Sequence, residues 1–211
     1  MLATSQLTFA YGPQKRFSFP DLHCDDRESL LILGRSGSGK TTLLHLLALL
    51  LTPESGSVVI GQTDLTKLTA AQTAAFRAAN VGIVYQKPHF VSALSVLDNL
   101  LLANYLAGKK QDRQRARQLA NQLGFADHLD KKTHQLSQGE QQRVSIARAV
   151  MNPVGLILAD EPTSSLDDVN TGFVVELLQQ QSGQIGASLV VVTHDQRLKD
   201  VIENRIDLSA L

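Results

Sequence analysis

A glycine-rich segment at residues 34–42 constrains the fold more than any other feature of this chain. A short apolar run, Ser29–Leu33, precedes it, and an apolar helical pattern follows it. The segment matches the pattern G-x-x-x-x-G-K-[ST] at Gly34, Gly39, Lys40 and Thr41. Glycine allows successive backbone N–H groups to turn toward a phosphate at the start of a helix. The segment therefore predicts a strand, loop and helix that together bind nucleotide phosphates.

Two side chains of this loop have predicted chemical roles. We expect Lys40 to reach the β- and γ-phosphates and to act in catalysis, and the Thr41 hydroxyl to ligate Mg²⁺. An ordinary Gly/Ser turn before a helix is the alternative, and the Lys-Thr pair argues against it. The expected ligands are ATP and Mg²⁺, and the loop residues predicted to bind the nucleotide are Gly34, Ser36, Gly37, Ser38, Gly39, Lys40, Thr41 and Thr42.

Short apolar runs that stop at polar or glycine residues predict the strands. Several are continuously apolar, which is typical of parallel strands buried on both faces of a sheet. These runs are 29–33, 57–60, 81–85, 155–159 and 188–192. Helical periodicity occurs between them, at 40–51, 70–79, 113–123, 138–151 and 170–181.

The expected fold class is α/β, in a single domain. We predict a P-loop NTPase core with a mainly parallel sheet, an N-terminal β-rich portion and an inserted helical lobe. The nucleotide-binding core is assigned to residues 1–87 and 152–211. Residues 88–151 have a mainly helical pattern without a convincing strand, so they are assigned to the lobe.

An acidic pair follows one of the predicted strands. In an open parallel sheet, ligands bind beyond the carboxyl ends of the strands. Asp160 and Glu161 come directly after the run 155–159, and their side chains point apart if the strand continues through them. We therefore expect separate roles: Asp160 at the Mg²⁺ position, and Glu161 as the general base or as the group that positions the attacking water.

Two further strand ends carry polar side chains. Gln86 follows the run 81–85, and an amide can coordinate Mg²⁺ or water. His194 follows the run 188–192 and Thr193, and an imidazole can hydrogen-bond the γ-phosphate. Alone, each is more often a surface residue. Together with the phosphate loop, both are predicted to act in catalysis, and Gln86 also as a metal ligand.

A second motif, Leu136-Ser137-Gln138-Gly139-Glu140, lies upstream of the Asp-Glu strand. With it, the sequence resembles an ABC transporter ATPase subunit over nearly the whole chain. The resemblance depends on an ordered set of motifs: the phosphate loop, Gln86, 136–140, 156–161, 164–167 and His194. It is strongest for the lipoprotein-releasing and macrolide-efflux branch of that family.

The resemblance implies a head-to-tail pair of cassettes, in which the signature motif of one completes the ATP site of the other. Ser137 and Gly139 would then contact the γ-phosphate in trans, and Asp167 would lie near the dimer seam. Tyr11 resembles the aromatic residue that stacks on adenine, although a core or edge tyrosine is the alternative. Gln138 departs from the family pattern, where glycine is commoner, and adds bulk beside the expected phosphate contact.

The resemblance also implies partners beyond ATP. These are a second copy of the chain or a similar cassette, and an integral membrane permease that is driven for lipoprotein release or efflux. The permease is expected to contact residues 87–91, with Pro88 and Phe90 either exposed as a socket or forming a turn with a buried ring. A regulatory ATPase of the cell-division type, which acts through a membrane partner without transport, is the alternative function.

Composition excludes some classes of protein. Twenty Lys and Arg balance twenty Asp and Glu, so no overall field attracts a nucleic acid and none is expected as partner. Cys24 is the only cysteine, which rules out an internal disulfide and suits a reducing compartment.

No apolar run approaches the roughly 20 residues that span a bilayer, and the first residues lack a secretory pattern. We expect a cytoplasmic protein, held at the inner face of the membrane by its permease.

Overall fold

The computed structural model describes residues 1–163 and 168–208. Its strands are β1 (Leu2–Gly12), β2 (Lys15–Ser18), β3 (His23–Cys24), β4 (Ser29–Leu33), β5 (Ser55–Ile60), β6 (Thr63–Asp64), β7 (Val81–Val84), β8 (Leu156–Asp160), β9 (Ser188–Thr193) and β10 (Arg205–Asp207). Its α-helices are α1 (Lys40–Leu47), α2 (Ala70–Asn80), α3 (Val96–Leu106), α4 (Arg113–Gln122), α5 (Gln138–Ala149) and α6 (Asp168–Ile185).

A parallel sheet with the strand order β10-β4-β9-β8-β7 lies at the centre of the molecule. All neighbouring strands in it run parallel. Their carboxyl ends therefore lie along one edge, where the phosphate loop, the acidic pair, Gln86 and His194 follow. The predicted α/β fold with a mainly parallel sheet is confirmed, and β4 has the predicted bounds.

A second, antiparallel sheet contains the N-terminal strands. Its order is β2-β1-β5-β6, and β3 pairs with β1. The predicted N-terminal β-rich portion is thus present. The run 57–60, predicted as a strand, is part of β5 and pairs antiparallel with β1. The apolar run alone does not reveal which strand it pairs with.

The parallel sheet separates two apolar clusters, and alternate residues of its strands point into each. In β4, Leu31 and Leu33 join the cluster formed with α3, α4, α5 and α6. Leu30 and Ile32 join the other, which contains α1 and the antiparallel sheet. All four side chains are at most 1% exposed. Burial on both faces explains the continuously apolar strand sequences.

The helices follow the predicted pattern with shifted ends. Helix α1 stops at Leu47 rather than at residue 51, since Leu49 has a left-handed φ of 59° and the chain turns there. Helix α3 was not predicted separately. Residues 88–151 are all described and contain α3, α4 and α5 without a strand, apart from an isolated bridge between Ser95 and Lys132. The proposed boundaries of the helical lobe stay a prediction.

Within the described ranges, no helix combines the length and apolar character needed to cross a bilayer.

Candidate nucleotide-binding site

A cleft of about 530 Å³ opens at the carboxyl edge of the parallel sheet. It brings together residues that are far apart in the sequence but that follow neighbouring strands. Nine of the predicted site residues line it: Ser36, Gly37, Gly39, Lys40, Thr41, Thr42, Gln86, Glu161 and His194. The topology therefore gathers the phosphate loop, the end of β7, the end of β8 and the end of β9 around one space.

The phosphate loop has the conformation that its glycines predict. Gly37 and Gly39 have positive φ values of 82° and 92°, and Gly39 is the N-cap of α1. A Cβ on Gly39 would lie 2.7 Å from the Phe17 ring, so a side chain does not fit there. No side chain caps α1, and its first turn contains no acidic residue. No group of the first turn itself therefore competes with a phosphate for the helix N–H groups and dipole.

Lys40 lies at the floor of the cleft and is 7% exposed. Its Nζ donates to the carbonyl oxygens of Gly34 at 2.8 Å and Arg35 at 3.1 Å. The same Nζ is 3.4 Å from Glu161 Oε1. Gly34 does not line the cleft, but its carbonyl oxygen holds the Lys40 ammonium group there. The cation is held by the loop itself, within reach of any phosphate bound there.

Glu161 is the most heavily bonded carboxylate of the site. Its Oε2 accepts from Thr193 Oγ1 at 2.8 Å and the backbone N–H of His194 at 3.3 Å, and lies 2.9 Å from His194 Nδ1. Burial opposes ionisation of Glu161, but the hydrogen bonds from His194 and Thr193 outweigh it and keep its pKa below the ordinary value. The carboxyl group is therefore ionised at neutral pH.

Asp160 and Glu161 point to different partners, as predicted, but for another reason. Strand β8 ends at Asp160, and Glu161 has a left-handed φ of 46°. The change in backbone conformation, rather than the strand alternation, turns Glu161 toward Lys40. Such a φ is strained in a residue with a side chain, and it is maintained here by the side-chain hydrogen bonds.

Asp160 lies beside Thr41, whose Oγ1 makes a long 3.5 Å contact to Asp160 Oδ1. Burial, together with the neighbouring charge of Glu161, raises the pKa of Asp160. No group of three His, Cys, Asp or Glu residues suited to a metal occurs in the described ranges. The donors here are instead the oxygen atoms of a hydroxyl, a carboxylate and the Gln86 amide. Oxygen donors in small number fit Mg²⁺, which completes its shell with water and phosphate.

Tyr11 belongs to an aromatic cluster at the rim of the cleft. Its ring packs edge-on against Phe9 at 4.8 Å and Phe17 at 6.3 Å between ring centroids. Its hydroxyl lies 3.2 Å from Thr42 Oγ1, which connects it to the phosphate loop. The residue is exposed and does not itself line the cleft. An adenine-stacking role for Tyr11 stays a prediction.

Other predicted residues lie outside this cleft. Ser38 lines an adjoining cavity of about 470 Å³, together with Arg16 and Arg35. Ser137 and Gly139 are exposed at the start of α5 and line neither cavity. Asp167 lies outside the described residues.

Three residues of the site were not predicted from the sequence. Lys15 and Phe17 line the cleft, and Thr193 holds Glu161. Lys15 also places its Nζ 5.5 Å from the Tyr11 ring centroid. No motif marks the strand that carries Lys15 and Phe17. The sequence did indicate Thr193, because it is the last residue of β9 and directly precedes His194.

Comparison with known proteins identifies the family. The sequence profile of the ABC transporter family matches residues 19–164. The macrolide export ATP-binding/permease protein MacB of Campylobacter jejuni is 45% identical over 188 residues, which are 86% of this chain and 29% of MacB. The chain thus spans less than a third of that relative.

Shorter relatives match over most of their length. The lipoprotein-releasing system ATP-binding protein LolD of Shewanella denitrificans is 38% identical, and the match covers 86% of this chain and 78% of LolD. LolD of Bacteroides thetaiotaomicron is 32% identical, and the match covers 99% of this chain and 96% of that LolD. These relatives confirm the predicted similarity to the lipoprotein-releasing and macrolide-efflux branch.

Solved structures agree with this assignment. A dimeric bacterial ABC transporter cassette superimposes with a TM-score of 0.88 at 30% identity, covering 99% of this chain and 94% of that cassette. The same cassette in a post-hydrolysis state bound to ADP and phosphate gives the same values. By sequence profile, relatives and fold, the chain belongs to the ABC transporter family, as one of its ATP-hydrolysing cassettes.

Proposed function

We propose that this chain is the motor of a membrane transporter, which hydrolyses Mg-ATP between two cassettes and drives a permease for lipoprotein release or efflux. The observation that carries this proposal is the cleft in which Lys40, Glu161 and His194 meet beside the start of α1. The named functions of the LolD and MacB relatives support the direction of the proposal.

The phosphate loop binds the nucleotide through its N–H groups and Lys40. Lys40 lies close to Glu161, so a γ-phosphate competes with that carboxylate for the lysine. Thr41, Gln86 and Asp160 would hold Mg²⁺. Bound there, Mg²⁺ would neutralise charge on the β- and γ-phosphates. Tyr11, beside Thr42, offers an aromatic face for the base.

Glu161 positions the attacking water. A carboxylate with a lowered pKa is a weak proton acceptor at neutral pH, and this favours orientation and electrostatics over full proton abstraction. His194 is hydrogen-bonded to Glu161 while its side chain is 60% exposed, so it faces the cleft and can contact the γ-phosphate. Thr193 fixes Glu161 from the other side.

The signature residues require a second cassette. Ser137 and Gly139 do not line the cleft of their own chain, although they lie at an exposed helix start suited to phosphate. In a head-to-tail pair, each signature would close the cleft of the other copy. The dimeric cassette with the same fold supports this arrangement. ATP then stabilises the closed pair, and loss of the γ-phosphate releases it.

A groove of about 390 Å³ between α2, β7, α3 and α5 is the proposed docking surface for the permease. It is mainly apolar and contains two cationic side chains, Arg77 and Arg148. Leu106 lines it and is 62% exposed. Phe90 is half-buried against the core, and the guanidinium of Arg148, which lines the groove, lies 5.0 Å from its ring centroid.

The Glu161→Gln variant tests the hydrolytic part of the proposal. We expect this variant to form a dimer with ATP, detected by light scattering, while its turnover falls by about 100-fold or more. Normal hydrolysis by the variant would remove Glu161 from the mechanism. For the transport part, the wild-type chain is co-purified with its membrane partner. Stimulation of its ATPase by that partner in vesicles supports a motor, whereas a partner without any transported substrate supports the regulatory alternative.

A further inference from the structure

Three residues form a hydrogen-bonded chain at the start of α5. Ser137 caps the helix, and its backbone N–H and its hydroxyl both donate to Glu140 Oε2, at 2.7 and 2.8 Å. His128 belongs to the short helical turn Ala126–His128 and places its Nε2 2.9 Å from Glu140 Oε1. The spacing of Ser137 and Glu140 is that of a capping box. Nothing in the sequence motif indicates the participation of His128.

The protonation pattern of this chain of contacts follows from its partners. Hydrogen bonds from the backbone and side chain of Ser137, helped by His128, lower the pKa of Glu140 to about 2. Glu140 is therefore an ionised carboxylate that only accepts, and His128 must carry its proton on Nε2. The His128 Nδ1 is buried and has no hydrogen-bond partner among the described residues. Nε2 is therefore the ring nitrogen through which His128 bonds to Glu140.

The Ser137 hydroxyl has two competing acceptors in the shared ATP site. A serine hydroxyl has one hydrogen, which it gives here to Glu140. A γ-phosphate in trans requires the same hydrogen. The hydroxyl can turn toward the phosphate and still accept the backbone N–H of Glu140, which lies 3.4 Å from it. Glu140 then loses one donor while its charge stays close to that of the phosphate.

We propose that His128 is a positioning residue for the shared ATP site, because its Nε2–H holds the Glu140 carboxylate and thereby frees the Ser137 hydroxyl for the γ-phosphate. The hydrogen bond from His128 to Glu140 remains when the Ser137 hydroxyl turns toward the phosphate. It also stabilises the negative charge on the Glu140 carboxylate, which competes with the phosphate for that hydroxyl. The inference depends on the proposed function, since it requires the signature to act in trans.

The test measures ATP-dependent dimerisation in the Glu161→Gln background. For His128→Ala, we expect the ATP concentration at half-maximal dimerisation to rise by roughly tenfold or more, as for the loss of one hydrogen bond to a charged group. In the wild-type background, the same substitution should raise KM for ATP with little change in kcat. His128→Gln retains an N–H near the position of Nε2 and should recover most of the affinity. His134→Ala, at an exposed histidine of the same region, is the matched control.

Glu140→Gln shows whether the effect passes through the carboxylate. This variant removes the competing charge, so we expect dimerisation at lower ATP, and adding His128→Ala should then have no effect. An equal rise caused by His128→Ala in both backgrounds would overturn the proposal. The proposal would also be overturned if His128→Ala, with an unchanged melting temperature, did not raise the ATP concentration at half-maximal dimerisation. If His128→Ala does not fold, His128→Asn takes its place, since its shorter amide does not reach Glu140.

Failure of this inference can be distinguished from failure of the proposed function. If Glu161→Gln alone does not dimerise with ATP, the shared site itself is refuted. If it dimerises and the His128 variants behave as wild type, only the role of His128 is refuted.

Discussion

The Glu161 carboxylate lies 3.4 Å from the ammonium group of Lys40, so the acid that we propose to position water and the cation that we propose to bind phosphate are direct neighbours. Both side chains are almost buried, with 11% and 7% of their surface exposed. A charged pair in this position is less screened than one on the surface. The two residues therefore have to be considered together when either is changed.

Glu161→Gln should bind ATP at least as tightly as wild type. Loss of the carboxylate removes the competitor for Lys40 and one negative charge near the phosphates, so we expect Kd for ATP to be unchanged or lower by up to about tenfold. Calorimetric titration with ATP measures this without turnover. Asp21→Asn, at an exposed carboxylate near β2, is the control. Weaker ATP binding by Glu161→Gln would show that the carboxylate holds the phosphate loop in its active conformation.

Thr193→Val should lower stability in a pH-dependent way. The Thr193 hydroxyl donates to Glu161 and accepts the N–H of Asp195 at 3.0 Å, and its loss should cost about 1–3 kcal/mol near pH 7. The pKa of Glu161 is lowered by these contacts, so their contribution is present above the ordinary carboxyl pKa and is lost as the pH falls through the folded value.

The difference from wild type should therefore shrink at about pH 4. Urea unfolding at both pH values checks this, with Thr193→Ser as a control that retains the hydroxyl. A difference that grows on acidification would contradict the lowered pKa of Glu161. The acidic limb of the activity profile should also move to higher pH in Thr193→Val, because the carboxyl loses a donor that favours its ionised form.

Much of the site was predictable because the residues that follow parallel strands all lie at the same edge of the sheet. A continuously apolar strand such as β8 places its next residues at the carboxyl edge, so Asp160 and Glu161 could be located from their neighbours. The left-handed φ of Glu161 could not, since it depends on Thr193 and His194, which are more than thirty residues away. The same limit applies to β5, whose pairing with β1 is a long-range contact.

Gly39→Ala should weaken ATP binding more than Gly37→Ala. Both glycines have positive φ, so both substitutions introduce backbone strain of about 1–3 kcal/mol. Only at Gly39 does the new Cβ also meet the Phe17 ring, at 2.7 Å, whereas nothing lies within 4 Å at Gly37. Thermal unfolding and ATP titration compare the two. Phe17→Leu should partly restore Gly39→Ala, and equal damage at both positions would exclude the ring contact as its cause.

Leu106→Asp should uncouple the cassette from its permease without changing the cassette itself. Leu106 is exposed at the end of α3 and lines the proposed docking groove, so its substitution should alter folding stability by no more than about 0.5 kcal/mol. We expect normal basal ATPase and loss of the stimulation by the reconstituted membrane partner. Leu50→Asp, on an exposed leucine that does not line the groove, is the control. Full stimulation of Leu106→Asp would place the permease elsewhere.

Mixing two inactive variants should restore activity if the signature acts in trans. Lys40→Ala destroys the phosphate loop of its own chain, and Ser137→Arg blocks the signature of its own chain. In a mixed dimer, the intact loop of one chain faces the intact signature of the other, so one complete site forms. The opposite site then carries both defects.

Random pairing makes half of the dimers mixed, and each contains one good site, so we expect about a quarter of wild-type ATPase activity. The double variant Lys40→Ala/Ser137→Arg mixed with wild type is the control, because each mixed dimer then has two singly damaged sites. Light scattering verifies that mixed dimers form with ATP. If mixed dimers of the two single variants form and no activity returns, although the wild-type dimers of the control mixture are active, the signature of a chain serves its own cleft. Ser137 would then have to reach a phosphate in the cleft of its own chain, from a helix start that does not line it.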